Sequence, residues 1–186
     1  MKKFVLAVLT ALVGFGFMPS ANANETVEKL VLYIPNRIVD MFDLFTLNLG
    51  FGPSAQLELM ATRFIAGGGS IGYSWMLFKD CNRQYGWGVQ NGWHWAVPGL
   101  LAEDTERSKT SRLVQSYWES NCGIPTPEQQ IYAYNRGARD YWQIGGGGGL
   151  LLTADLYLHP IEWVDFALGF FFIDIKDDDL TFENFQ

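Results

Sequence analysis

Cysteine, histidine and positive charge are scarce in this chain. Its 186 residues hold two cysteines, two histidines, and 13 lysines and arginines against 20 aspartates and glutamates. The resulting formal charge of −7 repels the phosphates of nucleic acid and of anionic headgroups, so nucleic-acid binding is excluded. Neither cysteine has a histidine beside it, which leaves no zinc pattern. His94 and His159 have no spacing to partners that selects them as metal ligands or as members of a nucleophile–base–acid set. No catalytic residue and no cofactor follow from the motifs. No apolar run reaches the roughly 20 residues that a spanning helix needs.

What is present begins with Met1 to Ala23. Lys2 and Lys3, the apolar stretch Phe4 to Phe17 and the small-x-small end Ala21-Asn22-Ala23 read as a signal peptide, which predicts export. Losing two lysines and no acid moves the formal charge from −7 to −9. No cysteine follows the junction to take a lipid. Residues 24–175 are expected to form one β-rich exported domain, and 176–186 an acidic tail. Cys81 and Cys122 both fall in the exported part, where two thiols usually pair, and a structural disulfide is the expectation.

Two stretches read as short helices opened by proline, one from Pro35 and one from Pro160. In the first, Arg37, Asp40 and Asp43 form a polar stripe among Ile38, Met41, Phe42 and Phe45. In the second, Glu162 and Asp165 stand nearly alone against Trp163, Phe166, Phe170 and an apolar run to Phe172. Helices this apolar need shelter in a core, a partner or lipid. Ile38, Met41, Phe42, Phe45, Trp163, Phe166 and Phe170 are therefore the candidate contacts to membrane or partner.

Between the helices the period is two. Phe45 to Phe51 and Ala55 to Ala61 alternate about a Gly52-Pro53 turn, and so do Ile71 to Leu77 and Tyr85 to Val89, which predicts an antiparallel meander. The stretch from Pro98 to Gln130 breaks the pattern. Glu103 to Lys109 reads as solvated, and Arg112 to Trp118 fits a strand or a helix. Sheet resumes at Ile131 to Tyr134 and from Tyr141 to Leu158, where Leu152, Ala154, Leu156 and Leu158 share one face and Thr153, Asp155, Tyr157 and His159 the other.

Gly145 to Gly149 lacks the Lys-Ser/Thr of a phosphate loop and reads as a bend or close approach in a sheet. Asp174, Asp177, Asp178, Asp179 and Glu183 have neither the order nor the glycine of a calcium loop, so no metal is expected. Tyr85, Trp87, Trp93, Trp95, Tyr141 and Trp142 are of the type found between apolar and wet surroundings.

The motif Asn36-Arg37-Ile38-Val39-Asp40-Met41-Phe42-Asp43, with Leu47, Leu49 and Gly52-Pro53, and the closing Pro160 to Gly169 with Ile173-Asp174 and Asp177-Asp178, resemble a group of uncharacterised exported bacterial envelope proteins, many of them lipoprotein-like. The resemblance implies the envelope of a diderm bacterium, in the periplasm or outer membrane, and no assigned activity. The expected fold class is α+β, mainly β: a curved antiparallel sheet or partial barrel flanked by two short amphipathic helices. The leading functional expectation is a non-enzymatic envelope protein that meets the outer membrane or a membrane partner through those helices. A small outer-membrane barrel and a soluble periplasmic carrier of a lipid or other apolar ligand are the rivals.

Overall fold

The computed structural model describes residues 25–133 and 137–171. The expected signal peptide, 1–23, and the expected acidic tail, 176–186, lie outside them. The chain divides into two compact units, residues 34–180 and a second made of 1–33 with 181–186. Of the second unit, only the start of the first helix is described. The remainder of that helix, the sheet and the second helix belong to residues 34–180.

Helix α1 (Glu25–Asp43) leads directly into β1 (Phe45–Met60), followed by β2 (Ala66–Asp80), β3 (Gln84–Val97), β4 (Leu100–Lys109), β5 (Tyr117–Gly123), β6 (Ile144–Leu158) and α2 (Pro160–Gly169). The six strands form one antiparallel sheet in the order β5-β4-β3-β2-β1-β6. The fold is thus mainly β with two flanking helices.

The strands are too long to be straight, and their side chains show that they are not. Asp155 stands opposite Asn48 and Tyr157 opposite Thr46. Yet Gln56 Nε2 donates to Asp155 Oδ1 at 2.6 Å, and the Tyr157 hydroxyl donates to Glu58 Oε2 at 3.1 Å. On a straight ladder, Gln56 lies about 26 Å beyond Asn48 at the usual rise. The sheet must bend back on itself. The bend crosses β1 at the register shift between Phe51 and Ala55, and runs on through Gly72 and Gly92, which stand opposite each other.

Expected as a turn, Gly52-Pro53 is instead a bulge inside one strand. Bulges add local twist and let a ladder bend without ending it. In β6 the bend falls at Leu150-Leu151, where Leu151 has φ 61°. A Cβ on Gly145 would collide with the carbonyl oxygen of Leu156, and one on Gly149 with that of Leu152. The five-glycine run therefore serves the close backbone approach its composition predicted.

Four further expectations are corrected. Pro35 lies inside α1 rather than opening it. The helix-forming residues before it carry the helix past a position where proline forfeits one backbone bond. Glu103 to Lys109 is not a solvated loop but most of β4, with Glu103, Thr105 and Arg107 buried. Near 131 the chain makes a 3-10 turn, Gln130–Tyr132, in place of a strand. Finally, Cys81 and Cys122 are not joined. Cys81 is buried in the turn between β2 and β3, whereas Cys122 points outward from edge strand β5, opposite Ala102 near the start of β4. A disulfide needs Cβ atoms that face each other. Maleimide applied to the native protein without reductant is expected to modify Cys122 at once and Cys81 only on unfolding; mass spectrometry of the adducts checks this, and a single cross-linked peptide would contradict it.

Candidate functional site

The sheet is inverted relative to a water-soluble one. Along β1, Thr46, Asn48 and Glu58 point inward and are buried, while Leu47, Leu49, Phe51, Leu57 and Leu59 point outward and are exposed. β6 follows the same rule: Thr153, Asp155 and Tyr157 lie inside, and Leu152, Leu156 and Leu158 outside. The predicted partition of this strand into two faces holds, with the polar face covered. Leu57 is 73% exposed and Leu150 76%, against 2% for Glu58. Large exposed apolar patches mark surfaces that meet another phase or partner.

The helices repeat the inversion. On α1 the stripe of Asp40 and Asp43 is buried, with Arg37 on Asp40 at 2.9 Å and Arg83 near both acids. Ile38, Met41 and Phe42 are exposed. On α2, which Pro160 opens as predicted, Glu162 and Asp165 are buried while Trp163 is exposed; Phe170, just past its end, is exposed as well. Phe166 is half-buried and meets Phe170 edge to face at 5.1 Å. Phe45 is half-buried, with the Lys79 ammonium 4.0 Å above its ring. Lys79 also donates to the carbonyls of Phe42 and Phe45, covering the C-terminal end of α1.

Inside the bend, charged groups from distant strands meet. Glu58 on β1 takes Arg63 at 3.4 Å and the Tyr157 hydroxyl, and His94 Nε2 on β3 lies 3.3 Å away, in ion-pair range but off the line of a hydrogen bond. Burial alone would raise the Glu58 carboxyl; His94 and Arg63 outweigh it and hold the group at about 2. Asp80 takes Arg107 at 3.1 Å, the Thr46 hydroxyl at 2.9 Å and the Cys81 amide, and Arg107 holds it below its ordinary range against the effect of burial. His159 is fully buried, with Nε2 2.8 Å from Thr46 Oγ1 and Nδ1 2.6 Å from Asp140 Oδ2. Arg139 reaches Glu103 at 2.6 Å and lies over the Tyr117 ring at 4.7 Å. Asp155 differs from the other acids. It accepts from Gln56, while burial and then the charge of Glu58 push it up to about 6.

The free space among these groups is about 50 Å³, room for a water or two and too small for a substrate. Ser70 Oγ and His94 Nδ1 are 2.8 Å apart, which with Glu58 has the composition of an acyl-transfer triad. Its arrangement differs: Ser70 and His94 are register partners on the inner face, and the carboxylate is not aligned with Nε2. Two larger hollows are shallow and lie outside. One of about 970 Å³ has Gly145 to Gly148 as its floor and Leu47, Leu59 and Leu156 in its walls. The other, about 950 Å³, is lined by Leu57, Ile71, Trp93, Trp95 and Leu150 among others. Among the described residues, no cluster of His, Cys, Asp and Glu is suited to a metal ion, and no helix is long and apolar enough to cross a membrane.

The leading expectation places the contact surface on the helices; only the rival barrel reading puts the outer face of strands in lipid. The overlooked signal is the chemistry of the alternation: in β1 and β6 the residues between the leucines are Thr, Asn, Glu and Asp, which a solvent-facing strand and an inverted one share. No family model, curated protein or solved structure matches this chain.

Proposed function

We propose that this is a membrane-associated protein of the bacterial cell envelope that holds to lipid mainly through the outer face of its bent sheet, with the apolar sides of α1 and α2 adding to the contact. One observation carries the reading: exposed leucines, isoleucine and phenylalanine cover β6, β1 and β2 outside, while Glu58, Asp80, Asp155 and their partners are packed inside. In water that arrangement leaves the apolar surface uncovered, whereas contact with an acyl phase covers it and leaves the polar side packed within the protein. The apparent signal peptide fits an exported site of action. A carrier of an apolar ligand is less well supported, since the space among the charged groups inside the bend is polar and small.

With only 13 basic residues in the chain and no basic run on the exposed apolar strands, attraction to anionic lipid contributes little and apolar area must do the holding. Purified protein mixed with phosphatidylcholine vesicles is expected to float with them in a sucrose gradient, to the same extent in 0.1 and 1 M salt (about a tenfold span) because screening acts only on charges. Protein that stays at the bottom of the gradient as a monodisperse, detergent-free species would refute the reading.

A further inference from the structure

Resting on that membrane reading, we infer that the sheet enters a single leaflet bend first and does not cross it: the bends of β6, β1 and β2 lie in the acyl region, the strand ends rise to the interface, and β4 with β5 stay in water.

Three observations point the same way. The first is the bend itself. Its outward residues on β6, β1 and β2 include Leu150, Leu151, Leu152, Phe51 and Ile71, all exposed and none charged. A protein that crosses a bilayer must offer water a polar end on each side. This bend offers hydrocarbon. The arm of β1 from Phe45 to Phe51 rises about 20 Å, somewhat more than the roughly 15 Å of one hydrocarbon leaflet, so the strand ends and both helices stand at the interface when the bend is deepest.

The second is the change of chemistry across the sheet. On β4 the outward positions include Asp104 and Glu106, both exposed, and Trp118 of β5 donates from its indole nitrogen to Asp104 at 3.0 Å. Carboxylates facing lipid are costly near the centre of a bilayer and tolerated at its edge. A closed belt around the whole sheet is thereby ruled out; the apolar surface is one-sided.

The third is what lies between. Trp87, Trp93 and Trp95 all point outward from β3, the strand that separates the leucine-rich side from the acidic flank. Indoles collect at the border between acyl chains and water. With Trp75 on β2 and Trp118 on β5 they give the sheet an indole-rich outer surface, which favours lipid over a second copy of this net-negative chain as the occupant.

The test uses the full mature chain with Cys122→Ser, carrying in turn L151C, F51C, S120C or T62C, in phosphatidylcholine vesicles. L151C and F51C are both at the bend, so a folding defect in one leaves the other to report. T62C and S120C are expected to react with a membrane-impermeant maleimide added outside, and L151C and F51C to react at least about tenfold more slowly, before and after vesicle lysis. A bimane attached to L151C before reconstitution is expected to be quenched most by lipids brominated near the chain end. Reaction of L151C and F51C only after lysis would show that the bend reaches the far side, overturning the one-leaflet placement while keeping the membrane reading. Prompt reaction of all four from outside, with no quenching, would overturn both.

Discussion

Replacing Leu57 and Leu150 together by aspartate is expected to lower partitioning into phosphatidylcholine vesicles by about a thousandfold while leaving the far-ultraviolet spectrum unchanged. Burial of a leucine side chain is worth about 1.5–3 kcal/mol, so loss of two removes about 4 kcal/mol, and each 1.4 kcal/mol is tenfold in partitioning. Both side chains project from the outer face and contribute nothing to the packed interior. For that reason the fold survives, and the variant is expected to be more soluble without detergent than the parent. Vesicle titration followed by tryptophan emission measures the loss. An unchanged partition constant would mean that the helices alone hold the protein, as their sequence leads one to expect.

The second large effect is on stability against pH, and its two limbs have opposite signs. Asp155 titrates at about 6 in the fold, above its ordinary 3.8. The folded state therefore binds the proton more tightly, and stability falls as pH rises from about 4 through 6, by on the order of 3 kcal/mol. Glu58 is held at about 2, below its ordinary 4.5. Its contribution is complete above 4.5 and is lost as pH falls towards 2, again by about 3 kcal/mol. Maximum stability is expected between about pH 4 and 5. Asp155→Asn keeps an oxygen for Gln56 and removes the charge beside Glu58, so it is expected to abolish the neutral limb and to stabilise the protein at about pH 7.5. Glu58→Gln leaves Arg63 buried without its counter-charge and is expected to cost about 3–5 kcal/mol at neutral pH. Denaturant titrations in a non-ionic detergent from about pH 3 to 8 resolve both, and an Asp155→Asn variant no more stable than the parent at the neutral end would sink the account.

Much of the local structure is legible in the residues. Period-two alternation locates β1, β2, β3 and β6, the Pro160 signal locates the start of α2, and the glycine run reads as a close approach in a sheet. β4 escapes because Glu103, Thr105 and Arg107 are polar on the inner face and Asp104 and Glu106 polar on the outer, so the strand has no apolar stripe to reveal its period. The disulfide is expected from composition and compartment alone, which are silent on the face to which each cysteine points. Pro35 suggests a helix start because the rule for proline is local and the residues before it also form helix.

The alternating pattern by itself determined that this chain makes strands with one leucine-rich and one polar side, and the scarcity of lysine and arginine determined that any hold on lipid rests on apolar area. Which side is covered was decided only by the tertiary structure. A period of two defines two faces and assigns neither to the interior. The assignment came from the bend, which brings Glu58 to Tyr157 and Gln56 to Asp155 across gaps of about 100 residues and so gives buried charges and polar groups the partners that no local segment supplies.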